Sequence, residues 1–252
     1  MRITIILPTL DEGPLLQSIV EEVFACLTQY DVHMLLATSA RLTTSETRAV
    51  IDTLAASHPG YIESFDQSRP GLGIAVREAF TRAQGDAIVV MAADGETPAA
   101  ALPLMLEKFQ QGYDIVASNR WSHGITFNGY HPIKLLLAYI FQQFFRVLYL
   151  THLHDLTFGF RVYKPSVVNA IRFEEDRHPF FFEAILKALR LGYSIGEVDA
   201  PWDMFTSRTS SVGRAKKIDL VGYVRAGLRI RFMSVAKMLR DSSTPRDDSR
   251  YN

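Results

Sequence analysis

Two carboxylates, Asp94 and Glu96, follow a short apolar run, Ile88 to Met91, in the stretch running from Gly85 to Pro98. Such a run is the pattern of a strand buried on both faces of a parallel sheet. Ligands of open α/β sheets bind outside the carboxyl ends of the strands. Two acids there suit a divalent cation that neutralises a diphosphate, and they equally suit the start of a helix near Pro98. Leu7-Pro8-Thr9-Leu10-Asp11-Glu12 follows another apolar run and could form a nucleotide base or ribose pocket; its acids could instead favour the next helix N-terminus. In Arg69-Pro70-Gly71-Leu72-Gly73 the glycines permit tight turning and close backbone approach, and the helix start that follows could face phosphate. A lone Gly-x-Gly also serves ordinary turns. The full dinucleotide fingerprint is missing, which argues against a nicotinamide or flavin enzyme.

The elements that must position these residues alternate between strand and helix, which predicts a parallel sheet built from βαβ units. Strands are expected at Ile3–Leu7, Val32–Ala37, Tyr61–Phe65, Ile88–Met91 and Tyr113–Ala117. Helices are expected from Pro14 to about Tyr30, Ser45 to Ala56, about Ile74 to Ala83, and Pro98 to Gln110. The second half changes character. Ile133 to Leu150 reads as a long aromatic and aliphatic helix, Pro165–Ile171 and Phe180–Leu191 as further helices, and Tyr193–Val198 as a returning strand. From Phe205 to Arg240 there are nine basic residues (Arg208, Arg214, Lys216, Lys217, Arg225, Arg229, Arg231, Lys237, Arg240) against one acid, Asp219. Val221, Val224, Leu228, Phe232, Val235 and Leu239 fall on one helical stripe there. The expected division is a main domain over 1–215, an amphipathic basic helix over 216–240 and a disordered polar tail over 241–252.

A chain of 252 residues has ample core for one large domain. Its zero net charge gives no electrostatic reason for a polyanionic partner such as nucleic acid. A single cysteine, Cys26, excludes a disulfide framework and suits a reducing compartment. The chain opens directly on a strand, so no signal peptide is expected. The apolar stretch at 135–145 is too short to span a bilayer. The expected location is cytoplasmic, free or peripheral at a membrane. Of the histidines, only His152 and His154 beside Asp155 cluster, and a local turn role fits them better than metal binding.

In combination the motifs are more specific. Pro8-Thr9-Leu10-Asp11-Glu12, Gly71-Leu72-Gly73-Ile74-Ala75 and Gly85 to Asp94 together resemble the inverting family-two glycosyltransferases of the GT-A fold. Gly112 to Trp121 is similar to that family's strand ending in Ser-Arg-Tyr. Asp155-Leu156-Thr157-Phe158-Gly159-Phe160-Arg161-Val162-Tyr163 resembles the signature of its dolichol-phosphate mannosyltransferase branch, and Phe182-Glu183 and Gly192 to Val198 continue the match in order. The resemblance covers roughly residues 1 to 215. It implies a Rossmann-like, mostly parallel α/β sheet flanked by helices. It also implies a nucleotide-diphosphate hexose donor, a polyprenyl phosphate acceptor at a membrane surface, and a Mg2+ or Mn2+ cofactor. The candidate residues are Pro8, Thr9, Glu12, Gly71 and Gly73 for the nucleotide, with Thr38 where the family carries acids; Asp94 for the metal, with Glu96 as a further contact; and Arg120, Lys134, Arg161 and Arg208 for the acceptor phosphate. Asp94, Arg120 and Arg208 would carry the chemistry.

Two departures stand against the family pattern. After strand two the family carries Asp-Asp-Gly-Ser-x-Asp, where this chain reads Ala37-Thr38-Ser39-Ala40-Arg41-Leu42. After strand four the family carries Asp-x-Asp, and here the first acid is Ala92. The alternative to an active transferase is therefore an inactive homologue kept as a binding or regulatory partner. A third reading keeps the activity with a changed donor pocket built from Thr38, Ser39 and Arg41. The basic stripe from Leu220 to Arg240 is either an interfacial helix, apolar side toward lipid, or a helix whose stripe packs on the domain.

Overall fold

The computed structural model describes residues 1–121, 132–200 and 219–240, apart from the side chains of Pro132 and Lys134. The expected tail and the 215/216 boundary lie outside the described residues. Seven strands form one sheet: β1 (Arg2–Pro8), β2 (Asp31–Thr38), β3 (Ile62–Asp66), β4 (Ala87–Val90), β5 (Ile115–Asn119), β6 (Arg161–Tyr163) and β7 (Ile195–Asp199). Their order is β3-β2-β1-β4-β6-β5-β7. All neighbours are parallel except β6, which runs antiparallel between β4 and β5. The sequence reading places five strands and the returning one within a residue or two of their positions and misses β6. Three residues are too few to show a period, and the strand opens on an arginine.

Helices cover both faces. On one lie α1 (Pro14–Cys26), α2 (Ser45–Ser57) and α4 (Leu102–Gln110); on the other α3 (Leu72–Arg82), α5 (Pro132–Tyr149), α6 (Pro165–Ala170), α7 (Pro179–Arg190) and α8 (Leu220–Phe232). Alternation along the strands sorts the two cores: Ile3, Ile5 and Leu7 of β1 face α1, whereas Ile6 faces α3. The helix expected from Pro98 begins only at Leu102, after a 3-10 turn at Ala99–Ala101. Pro103 has no N–H to give the carbonyl four residues back, and its ring crowds that carbonyl.

The C-terminal segment differs more from expectation. The helix ends at Phe232, Met233 is extended, and a four-residue helix α9 (Val235–Met238) follows. Arg190 of α7 donates to the carbonyls of Ile230 and Met233, closing the end of α8. Leu239 then bridges to Ile171 as extended chain. α8 packs on α7 and α5 through Ala226, Gly227 and Ile230, all buried. Gly227 lets the Phe145 ring of α5 approach its backbone, and Tyr149 donates to its carbonyl at 2.7 Å. With the small residues turned inward, Val221, Leu228 and Phe232 of the apolar stripe face outward. Val224 of the same stripe packs on the core beside Tyr223, so the stripe divides between the domain and the outer surface.

Gly73 is the tightest backbone approach on the α3 side. A Cβ there would collide with the backbone of Glu175 and Asp176 and meet Phe180 Cβ at 3.0 Å. Gly73→Ala should therefore lower stability by about 1–3 kcal/mol, measured by urea denaturation; an unchanged midpoint would contradict this packing.

Candidate active site

The carboxyl ends of β1, β2, β3 and β4 form one edge of the sheet. Because β4 lies beside β1, the Asp94 turn comes next to the Pro8–Glu12 loop. Asp94 accepts the N–H of Glu96 at 3.0 Å, Thr97 donates to the Ala92 carbonyl, and Gly95 takes a positive φ of 80°. The following 3-10 turn is preceded by Pro98 with no side-chain cap. Asp94 thus spends one oxygen on closing its own turn.

Glu12 is buried and accepts the N–H of Leu10 at 2.6 Å. Burial pushes its carboxyl up to about 7; the Leu10 hydrogen bond opposes this, while the charges of Asp11 and Asp94 add to it. Among the described residues no three His, Cys, Asp or Glu side chains gather in a metal-binding group. Asp94 and Glu96 are the residues here whose chemistry could hold a hard divalent ion. Such ions are held by one or two carboxylates and take the remaining ligands from substrate phosphates and water.

Several expected nucleotide residues have other work. Thr9 is buried, donates its hydroxyl to the Leu7 carbonyl at 2.9 Å and its N–H to Ala37. Its neighbour Pro8 reaches partial exposure at the edge. Thr38 is buried and turns its hydroxyl to Phe65 O and Asp66 Oδ1. The Gly71 N–H goes to Gln67 Oε1 at 3.1 Å and that of Gly73 to Asp176 O at 3.0 Å. The glycines seat α3 against the 174–176 segment, so the phosphate cradle expected of them is corrected to a packing role.

A second cluster lies where β5 ends. Arg120 grips Asp155 with Nε at 2.6 Å and Nη2 at 3.1 Å, donates to Thr157 Oγ1 at 3.1 Å, and lies over the Phe158 ring at 4.3 Å. Its side chain keeps 21% of its surface in solvent, whereas that of Asp155 is wholly buried. Burial alone would raise Asp155; the Arg120 charge and hydrogen bonds outweigh it and hold the carboxyl below its usual range. Gln142, reaching in from α5, donates to Asp155 Oδ1 at 3.3 Å and Thr157 Oγ1 at 3.0 Å and accepts the Leu156 N–H at 3.1 Å. Glu197 of β7 accepts the N–H groups of His154 and Asp155, and its second oxygen meets His154 Nδ1 at 2.8 Å. Sequence reasoning gave no role to Gln142, which carries no motif signal, and none to Glu197, which it placed only within the Gly192 to Val198 match.

Arg161 is 0% exposed. Its guanidinium is bonded to the carbonyls of Leu156 and Phe181 inside the core. An acceptor phosphate cannot reach it, and its expected role is corrected to holding the 155–160 loop on α7. Arg208 and the side chain of Lys134 lie outside the described residues.

The chain belongs to glycosyl transferase family 2, whose model matches residues 4–172. It is a transferase of the GT-A fold. The polyprenol monophosphomannose synthase of Mycolicibacterium smegmatis is 28% identical over 220 residues, 84% of this chain and 80% of that protein. A dolichyl-phosphate hexose transferase of Haloferax volcanii is 26% identical over 137 residues, covering 54% of this chain and 59% of that one. These relatives place it on the dolichol-phosphate mannosyltransferase-like branch. Among solved structures, glucosyl-3-phosphoglycerate synthase of Mycobacterium tuberculosis, in complex with Mn2+, UDP and phosphoglyceric acid, superposes with a TM-score of 0.66. It is 16% identical, with 92% of this chain and 79% of that one covered. At that identity the likeness carries the fold.

Glu12 makes stability pH-dependent. A folded value near 7 against an ordinary 4.5 means that the folded chain keeps a proton the unfolded chain has released. Stability therefore falls as pH rises through that window and stays lower above it. Glu12→Gln keeps an acceptor for Leu10 and cannot ionise. Its Tm advantage over wild type should grow from about pH 5 to about pH 8; a constant difference would contradict the buried ionisation.

Proposed function

We propose that this chain transfers a hexose, with inversion, from a nucleoside-diphosphate sugar to a polyprenyl phosphate at a membrane surface. The observation that carries the reading is the two-sidedness of α5. Its inner face sends Gln142 to the Arg120–Asp155 pair. Its outer face presents Ile133, Leu136, Leu137, Ile140, Phe144 and Val147, each more than half exposed. α8 runs beside it, with Phe141 against Tyr223 and Leu148 O accepting from Arg231. The outward Val221, Leu228 and Phe232 extend the apolar surface, and the exposed Arg225 lies among them. Apolar side chains interleaved with arginine are the chemistry of an interfacial surface for anionic lipid. Among the described residues no helix is long and apolar enough to cross a membrane, so the chain would lie on the bilayer.

In this reading the donor lies along the β1–β4 edge and the acceptor phosphate approaches the solvent-facing part of Arg120. An acceptor phosphate oxygen forms the new bond to the anomeric carbon as the bond to the diphosphate oxygen breaks. The acceptor is already ionised near neutral pH, so no strong general base is required. Asp94, with Glu96, would hold Mg2+ or Mn2+, which supplies charge neutralisation for the departing diphosphate. Asp155, Thr157 and Gln142 fix the guanidinium of Arg120 before the acceptor arrives. The loss of an acid at Ala92 leaves the ion with fewer protein charges and makes it more dependent on the donor's own phosphates.

Two measurements test this. Purified protein, Mn2+ and labelled UDP- or GDP-hexose, added to anionic vesicles containing polyprenyl phosphate, should move label into the organic phase. Asp94→Ala should cut that rate by about a hundredfold or more. No transfer and no binding of any nucleoside diphosphate at millimolar concentration would favour an inactive homologue. Separately, the double variant Ile140→Glu, Phe144→Glu should abolish sedimentation with anionic vesicles at low salt while leaving nucleotide binding unchanged. Equal sedimentation would exclude α5 as the docking surface.

A further inference from the structure

β2 ends at Ala37-Thr38 and leads into Ser39-Ala40-Arg41, with no acid, yet the sheet brings one to it. Asp66 ends β3, and its partner across the ladder is Thr38, the last residue of β2. Both strands run parallel to β1, so Asp66 stands on the same carboxyl edge as Pro8 and the Asp94 turn. In the order β3-β2-β1-β4, three strand spacings, about 14 Å, separate the two acids. In doubly wound sheets of this order the phosphates sit near the switch point, and the nucleoside extends along the edge past β2, where a carboxylate meets it.

The way Asp66 is held sets it apart from an ordinary surface pair. Its Oδ1 accepts from the Thr38 hydroxyl at 2.8 Å and from Arg48 Nη2 at 2.8 Å. The same Arg48 nitrogen donates to the Ser39 carbonyl at 3.0 Å, so the guanidinium is itself tied to the end of β2. Burial would raise the carboxyl; the bonds from Arg48 and Thr38 outweigh it, and Asp66 is held below the usual carboxylate range. Both anchors converge on Oδ1. Among the described residues no hydrogen bond reaches Oδ2, and the side chain keeps 43% of its surface in solvent. The result is an oriented acceptor with one oxygen fixed and one presented at the edge. A staple between α2 and β3 would need the first of these features and not the second.

We propose that Asp66 reads the nucleoside end of the donor, its Oδ2 accepting a hydrogen bond from a ribose hydroxyl or a base N–H, with Thr38 and Arg48 fixing the carboxylate. This rests on the nucleotide-sugar reading above and assigns the site that the missing strand-two acids leave open. It also makes Thr38 a positioning residue.

Calorimetric titration with UDP and GDP in Mn2+ tests it, using wild type, Asp66→Asn and Thr38→Val, each with its Tm. Asp66→Asn should weaken the preferred nucleotide about tenfold or more, the loss expected for a hydrogen bond to a charged group. Thr38→Val should weaken it several-fold, and this second variant carries the test if Asp66→Asn fails to fold. The 2′- and 3′-deoxy nucleotides then separate the two sources. If a ribose hydroxyl is read, one deoxy analogue binds wild type more weakly and Asp66→Asn no worse. If a base N–H is read, the loss in Asp66→Asn persists with both analogues. Either outcome supports the assignment, and a purely structural Asp66 would produce neither pattern. Variants that fold and bind like wild type would overturn it while leaving the proposed function standing. A wild-type protein that binds no nucleoside diphosphate would overturn both.

Discussion

The buried carboxylate of Asp155 is the constraint on which the second half of the molecule depends. A fully buried charge is tolerated only when paired and hydrogen-bonded, and Asp155 collects its partners from four directions. Arg120 comes from the end of β5, Gln142 from α5, Thr157 and Phe158 from its own loop, and Glu197 of β7 fastens its N–H. Satisfying one charge therefore sets the relation of two strands, a loop and the long helix. It also immobilises Arg120 with its outer surface still in solvent, which is the condition for a preorganised anion site. α5 cannot turn without breaking the Gln142 bonds, so its apolar stripe is held facing outward.

The donor side obeys a different constraint. There the edge is built by the strand ladder, and polar groups at strand ends are largely spent within the protein, Thr9 on Leu7 and Thr38 on Phe65 and Asp66, as is the Gly73 N–H at the start of α3 on Asp176. Asp94, Glu96 and Asp66 put carboxylates along this edge, Asp66 in an ion pair with Arg48. In the proposed reading a divalent cation would bridge the donor diphosphate to Asp94 and Glu96, and Ala92 would leave that ion one protein charge fewer.

Most of the βαβ order was legible because buried parallel strands show as continuous apolar runs and their helices as periodic ones. The Asp94 turn was legible for the same reason, as a pair of acids where such a run stops. What escaped was information held in three dimensions. β6 was hidden because three residues carry no period. Arg161 looked like a phosphate ligand, since an arginine in a motif gives no sign that its partners are two carbonyls in the core. Gly71 and Gly73 looked like a cradle, because the sequence does not show that the 174–176 segment comes to fill the space above them. The apolar stripe read past the end of α8 to Val235 and Leu239, and its direction was left open; that was decided by Ala226, Gly227 and Ile230, which permit the closer approach.

The central claim is spatial: the nucleotide lies along the β1–β4 edge, and the lipid-bearing acceptor arrives over α5 and α8. Hydrogen–deuterium exchange on the full chain tests it most directly, with Mn2+ and nucleoside diphosphate in one arm and anionic vesicles carrying polyprenyl phosphate in the other. The account predicts protection of the 8–12, 38–43, 66–73 and 92–97 segments by the nucleotide, and of 133–150 and 220–232 by the vesicles. Nucleotide protection that avoids the carboxyl edge, or vesicle protection that spares α5, would contradict it.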